Sequence, residues 1–386
     1  MKPVFKNKAI VLGTDHHNTL GIIRSLGEEG VFVCALILDT QSAFVAHSKY
    51  LKEVSYCSSC AQEVLEELNS KYGNETEKPV LIPTCDTAAL LIDSLKDKLE
   101  ECFYIGGTCE TLGLAHYMNK QNLGYLAKEL GVSVPSMCVC DIDCASLIDG
   151  NAMSELLGEK QIQFPVILKP LMSAGSSKSS ITVISDAKDF EAKRASLPHG
   201  KYLIQEFVHI EKEYGVQGIS LYAEKKVIVP GVVHKIRTSV NARGSTTYAR
   251  LTGNSGLIDT QKLSQLVLAT GYSGIFDIEL MQSEDKIYLI EINFRNGAYG
   301  YAYTKLGYNL AFEWYRYCVS GEIKESPSQA GTELYLMNET ADMHNMKNHT
   351  VSPFRWLLQF MQAKVKLIWN IRDPKPLFAK ISKKNR

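Results

Sequence analysis

Asp277 and Glu279, followed by Glu291 and Asn293, are the side chains whose types and spacing point most directly to chemistry. Two apolar-alternating segments, residues 274–281 and 287–294, flank the polar stretch Ser283, Glu284, Asp285 and Lys286 and predict a β-hairpin. Alternation puts Asp277 and Glu279 on one face of the first strand, and Glu291 and Asn293 on one face of the second. A turn centred near Asp285 sets Glu279 opposite Glu291 and Asp277 opposite Asn293. Carboxylates facing each other repel unless a cation joins them. The acids share their face with Ile275, Met281, Ile287 and Leu289, a partly apolar wall. The all-oxygen donor set suits Mg²⁺ and polyphosphate better than zinc.

Upstream, Phe164 to Pro170 predicts a strand ending in Lys169, followed by a loop of small residues that includes Ser173, Gly175, Ser176, Ser177 and Lys178. A strand at 181–184 comes next. Small residues let backbone amides approach phosphate oxygens closely, and lysine supplies the charge. Asn119 and Lys120 open a helix running to Leu130, with Gly131 and Pro135 as its stop signals.

Taken in this order, the chain resembles the ATP-grasp superfamily, in particular its carboxylate–amine ligases, including the D-aspartate ligase-like and cell-surface-glycan-associated members. The acid, the twelve-residue step and the run Glu291, Ile292, Asn293, Phe294, Arg295 resemble the family's paired magnesium ligands. The resemblance implies that Glu279, Glu291 and Asn293 hold two Mg²⁺ ions, replaceable by Mn²⁺, on ATP. It implies that Lys120 and Lys169 reach the phosphates under a mobile cover formed by the small-residue loop, which holds less glycine than is usual in the family. Arg295 would face the reacting phosphoryl group or the substrate carboxylate, where a planar guanidinium binds two oxygens at once. Gln205, Glu206, Phe207 and Val208 would read adenine. Glu213 would meet the ribose, with Glu211 as a competing choice.

After a hairpin at 218–230, Lys235 and Arg237 share a face in strand phase and suit phosphate and carboxylate oxygens; both join Arg295 as catalytic candidates. Gly244, Ser245 and Thr246 resemble the acceptor-binding loop of the family's amino-acid ligases. Asp277 and the loop residues His16, His17 and Asn18 complete the expected substrate-binding set. An Asn18 or Thr19 helix cap is the structural alternative for that loop.

These residues require a scaffold. At 386 residues and 45% hydrophobic content, the chain can bury a large core in two or three domains. Strands at 8–13, 31–38, 79–83 and near Phe103 alternate with helices at about 18–29, 61–71 and 86–99, which predicts a parallel sheet covered on both faces. The fold class is α/β, with α+β character in the ATP-grasp part. The expected division is a Rossmann-like N-terminal domain at 1–112, a small or lid subdomain at 113–204, a catalytic subdomain with the metal site at 205–325, and a C-terminal extension at 326–386. The first domain lacks a GxGxxG run, so it carries no signal for a dinucleotide.

The formal net charge is zero, which gives no global attraction to nucleic acid. Cys57 and Cys60 have half-site spacing but no partner pair follows, and all ten cysteines are expected to be reduced. Residues 1–13 hold only a four-residue apolar run, too short for a secretory leader, and no run of about 18 apolar residues predicts a membrane span. A cytoplasmic protein is expected. Residues 350–386 carry nine Lys and Arg against one acid, Asp373. Apolar residues at 354, 357, 358, 361, 365 and 368 trace one helical stripe. That helix either packs on the body or lies peripherally against anionic lipid at the inner face of the membrane. Asp373 to Pro376 breaks it before a short basic end.

The resemblance implies an ATP-dependent ligase that joins a small carboxylate to an amine through an acylphosphate. An amino acid is the expected substrate, a lipid-linked glycan is one acceptor to be considered, and homodimers are frequent among resembling proteins. The rivals are a carboxylase or small-acid kinase on the same scaffold, and a nucleotide-binding scaffold at a membrane complex without turnover.

Overall fold

The computed structural model describes residues 5–141, 149–171, 181–194, 196–197, 200–240, 245–253, 256–325 and 332–384. They form two compact units: 1–114 with 214–278 and 292–386, and 115–213 with 279–291.

The first unit begins with a four-stranded parallel sheet in the order Leu51–Cys57, Val33–Leu38, Ala9–Gly13, Val80–Pro83. Alternation sorts its side chains cleanly. Ala9, Val11, Val33, Ala35 and Ile37 enter one core with Leu20, Ile23 and Leu26 of the helix His17–Gly27. Ile10, Leu12, Cys34, Leu36 and Leu38 enter the other, with Val64, Leu68 and Ile92. The three inner strands Val33–Leu38, Ala9–Gly13 and Val80–Pro83 are buried throughout, as a parallel sheet covered on both sides requires, while the edge strand Leu51–Cys57 carries Lys52, Glu53 and Ser55. The expected helix at 86–99 is two helices, Asp86–Ser94 and Lys96–Leu99, and the expected strand near Phe103 is reduced to a single bridge between Val80 and Tyr104.

A nine-stranded sheet carries the hairpin Tyr272–Ser283 and Lys286–Asn293 at one end. Next to it come Lys212–Leu221, Val232–Thr238, Thr246–Thr252, Glu333–Met337 and Val365–Lys366. Lys226–Ile228 pairs with Lys212–Leu221, as the expected 218–230 hairpin requires. Helices Gly300–Leu306 and Leu310–Ser320 share the core that lies beneath the N-terminal sheet.

The second unit is built on an antiparallel sheet in the order Met137–Asp141, Lys201–Glu206, Val166–Pro170, Thr182–Ile184. Met153 and Leu157 of the helix Gly150–Glu159 and Phe190 of the helix Ala187–Arg194 cover it.

The tail departs from the expected single helix. The helix Pro353–Gln362 stops at Ala363, and Val365–Lys366 instead joins the large sheet in parallel with Leu336 and Met337. Val365 and Ile368 are fully buried. The β-branched valine between two lysines suits a strand edge, and burying it there takes it off the helical stripe. The expected short basic end is the helix Lys375–Lys384. Asp373 is anchored in the body: its carboxylate meets Arg24 Nε at 2.9 Å and accepts from Ser48 Oγ and the Lys49 amide, each at 2.8 Å. No helix among the described residues is long and apolar enough to cross a membrane.

Candidate functional site

Asp277 and Asn293 of the hairpin meet in the first unit. Asn293 Nδ2 donates to Asp277 Oδ2 at 3.3 Å, and both residues are buried. Asn293 Oδ1 accepts from Arg295 Nη2 at 3.0 Å. Arg295 continues the chain of contacts: its Nε donates to Asp86 Oδ1 at 2.8 Å and its Nη1 to the Asn296 carbonyl at 3.2 Å. Asp86 starts the helix that follows the fourth parallel strand, at the carboxyl edge of the sheet, where open α/β sheets hold ligands.

Beside this chain lies a buried group of amides. Gln217 is fully buried on the neighbouring strand, and neither atom of its amide has a hydrogen-bond partner among the described residues. The Oδ1 atoms of Asn18 and Asn296 are in the same condition, although Asn296 Nδ2 donates to the Asn18 carbonyl at 3.3 Å. Gly297 passes so close that a Cβ there would sit 2.1 Å from Gln217 Nε2 and 2.5 Å from Asp277 Cγ. Buried polar groups are nearly always satisfied, so these amide atoms stand out among the buried polar groups of the first unit.

The loop at His16 is capped differently from the expectation. His16, not Asn18 or Thr19, is the N-cap, its Nδ1 accepting from the Asn18 amide at 3.3 Å. The His16 and His17 rings lie 3.8 Å apart. Burial, followed by the charges of His16 and Lys380, holds His17 well below the usual histidine range, so its ring is neutral at pH 7.

Lys235 and Arg237 do not behave as a simple alternating pair. The register of their strand shifts between them, where Lys235 faces Ala249 and Arg237 faces Tyr248. Such a bulge interrupts strict alternation. Arg237 binds Asp342 bidentately, Nε to Oδ1 at 2.8 Å and Nη2 to Oδ2 at 2.6 Å, and Asp342 is fully buried. This pairing holds the guanidinium of Arg237 in one orientation. Lys235 is buried. Of the expected acceptor loop, Gly244 lies outside the described residues, Ser245 is exposed, and Thr246 Oγ1 hydrogen-bonds Tyr299 Oη at 2.6 Å.

The second unit gathers the expected phosphate-binding side chains. Asn119 caps the helix Lys120–Glu129 through the amides of Gln121 and Asn122, and the Lys120 amide donates to the Leu171 carbonyl at 3.1 Å, tying that helix to the end of the Lys169 strand. Lys120, Lys169 and Gln205 line one small cavity with Leu203, Leu289 and Ile290. Lys169 Nζ donates to Gln205 Oε1. Burial, then the charge of Lys120, lowers Lys169 to about 8, while Glu291 acts in the opposite direction. Lys169 thus sits within reach of the charges of both Lys120 and Glu291. Ser173, Gly175, Ser176 and Ser177 lie outside the described residues.

Next along the chain, Glu206, Phe207, Val208 and His209 border a cavity of about 440 Å³ whose far wall is Ser283 to Lys286 with Tyr288. Glu206 is fixed by its own amide to the Ser136 carbonyl at 2.8 Å and by its Oε2 to the Ser136 amide at 3.2 Å. Glu213 is half-buried at the start of the strand Lys212–Leu221, whereas Glu211 is exposed.

The expected cation site has its donors on one hairpin, Glu279 and Glu291 half-buried on adjacent strands and Asn293 two residues beyond. No three His, Cys, Asp or Glu side chains converge as a metal cage among the described residues. Two carboxylates and an amide are an open, all-oxygen set. They suit Mg²⁺ held jointly with phosphate oxygens, because Mg²⁺ binds through one or two carboxylates and keeps its other positions for water and phosphate.

Sequence reasoning missed Gln217, Asp86 and Asp342. Gln217 sits in an apolar strand with no motif around it. Asp86 begins an unremarkable helix, and Asp342 lies more than a hundred residues from its arginine. Only the fold puts each beside its partner.

Residues 125–298 match the family model of the ATP-grasp domain. That segment is thus an ATP-grasp domain. The carbamoyl phosphate synthase large chain of Clostridium beijerinckii is 26% identical over 228 residues, 57% of this chain and 20% of that protein, so the chain spans about a fifth of the length of this curated relative. Among solved structures, the L-amino acid ligase of Bacillus licheniformis aligns with a TM-score of 0.63 at 13% identity, covering 86% of this chain and 80% of the ligase. N5-carboxyaminoimidazole synthetase from Staphylococcus aureus, complexed with ADP, aligns with a TM-score of 0.67 at 13% identity over 91% of this chain and 88% of the other. Biotin carboxylase of Campylobacter jejuni gives 0.63 at 15% identity over 85% and 74%. These likenesses describe the fold.

Proposed function

We propose that the protein is an ATP-dependent ligase that activates a small carboxylate as an acylphosphate and joins it to an amine, releasing ADP and phosphate. The observation that carries this reading is the gathering of Lys120, Lys169 and Glu291, next to a strand that leads into the cavity at 206–209. Adenine would lie in that cavity against the main chain of 206–208. Lys120 and Lys169 would neutralise the phosphates. Glu279, Glu291 and Asn293 would hold Mg²⁺, which supplies charge neutralisation and in-line orientation of the γ-phosphoryl group.

The amino-acid substrate would bind at the buried amides. The carbonyl oxygens of Asn18, Asn296 and Gln217 suit an ammonium group, and Asp277 adds negative charge beside them. Arg295 would orient the substrate carboxylate for attack on the γ-phosphorus and stabilise charge on the acyl oxygen when the amine adds. Asp86 and Asn293 hold its guanidinium in place. Arg237, already bound by Asp342, would position the sheet rather than touch the reacting atoms. The amine then displaces phosphate, and water must stay excluded, because the acylphosphate would otherwise hydrolyse. A carboxylase reading, favoured by the fold likeness to N5-carboxyaminoimidazole synthetase and biotin carboxylase, would replace the substrate carboxylate with bicarbonate. The reaction would run in the cytoplasm, with an amino acid or a lipid-linked glycan as acceptor.

The test is ADP release with Mg²⁺ and ATP against the amino acids, both enantiomers, singly and in pairs, with Glu291→Gln alongside. Stimulated release absent from Glu291→Gln supports the reading. Undiminished release in that variant removes Glu291 from the site.

A further inference from the structure

The helix Pro353–Gln362 has two apolar faces, and only one of them is covered. Trp356 and Phe360, stacked at 5.3 Å with 19° between their rings, pack on the small core of Tyr248, Met337 and Ala363. Tyr248 Oη donates to Gln362 Oε1 at 2.8 Å, which fixes the same side. At 100° per residue, Phe354, Leu357, Leu358 and Met361 fall in one stripe on the opposite side. They are 73%, 50%, 47% and 63% exposed, and no residue of the helix is buried. An ordinary surface helix turns its apolar stripe inward and its polar stripe outward; this one shows water a row of four large apolar side chains.

Charge decides the occupant. Arg355 and Lys364 flank the stripe and are exposed. The single acid of residues 350–386, Asp373, is buried against Arg24 and adds nothing to the surface. Farther along, Ile371, Phe378 and Ile381 are exposed as well, with Phe378 edge-on against Trp369 and Lys383 paired to Asp15 at 3.1 Å. Two copies of this face brought together would oppose cation to cation, whereas anionic headgroups answer both the charges and the apolar row. The helix has ten residues, about 15 Å, half of a bilayer core, so it cannot span and must lie in the plane.

We propose that this outer face docks on an anionic membrane surface, with Phe354, Leu357, Leu358 and Met361 entering the boundary between headgroups and acyl chains. The inference is independent of the ligase reading, since docking needs no turnover. The test is sedimentation of the full chain with phosphatidylcholine vesicles, either pure or containing about one quarter phosphatidylglycerol. Wild type is expected to pellet with the anionic vesicles and to remain largely free with the neutral ones. The double variant Leu357→Glu, Met361→Glu is expected to lose about tenfold or more in partitioning, with its unfolding midpoint and ATP binding unchanged. Its side chains are exposed, so folding tolerates the change, and Leu357→Ala, Met361→Ala gives a milder loss without added charge. Absence of binding to anionic vesicles, equal binding by wild type and both variants, or a wild-type dimer in solution that the variants dissociate would each overturn the proposal.

Discussion

Asp86 and Arg295, 209 residues apart in sequence, are joined by an ion pair of 2.8 Å. The pair ties the carboxyl edge of the N-terminal sheet to the end of the hairpin at 272–293, and Asn293 Oδ1 accepts from the same guanidinium. Together these contacts hold the Arg295 fork in one orientation.

Replacing Asp86 with Asn keeps the shape and removes the charge. The charge-assisted hydrogen bond contributes about 1.5–3 kcal/mol, so kcat/KM is expected to fall by about 10- to 100-fold. The fold, followed by circular dichroism, should be retained. An unchanged kcat/KM would show that Arg295 orients itself without Asp86.

Lys169 is held down to about 8, and ATP phosphates favour its ammonium form. ATP affinity is therefore expected to weaken as pH rises through about 8, and binding above that value should take up a proton. Calorimetry in buffers of different ionisation heat measures the uptake directly. Lys169→Met should abolish it; uptake persisting in that variant would assign the proton to another group.

Gly297 leaves no room for a side chain against Gln217 and Asp277. Gly297→Ala is expected to cost about 1–3 kcal/mol in urea unfolding through overpacking. Gln217→Leu, which keeps the volume and removes the amide, should instead raise KM for the amino acid and leave ATP binding unchanged. If KM for the amino acid stays at the wild-type value, the buried amides are not its subsite.

The large elements were legible because local pattern and tertiary demand agree. The strand Val33–Leu38 is apolar throughout, as burial on both faces requires. The hairpin around Asp285 declares itself by alternation on either side of a polar turn. The helix opened by Lys120 was legible from its Asn119 cap and the stop signals after Leu130, and the strand that carries Lys169 from its apolar run. Legibility failed where long-range pairing overrode local periodicity. Val365 continues a helical stripe in sequence, yet the edge of the Glu333–Met337 strand claims it. Arg237 reads as a free cation until Asp342 is folded beside it, and Gln217 carries no sequence signal at all.

The Arg24–Asp373 pair lies fully inside the protein, with Arg24 Nη2 also donating to the Ile368 carbonyl at 2.7 Å. Asp373→Ala leaves a buried guanidinium uncompensated and is expected to cost about 3–5 kcal/mol. Urea unfolding measures it, and a loss below about 1 kcal/mol would mean that water or another acid replaces the carboxylate.

The most direct test of the ligase reading is hydroxylamine trapping. With Mg²⁺, ATP and the activating acid, but no amine, the protein is expected to form a hydroxamate in step with ADP, and Glu291→Gln should form neither. ADP release without hydroxamate would contradict an acylphosphate and turn the assignment toward a carboxylase or a kinase.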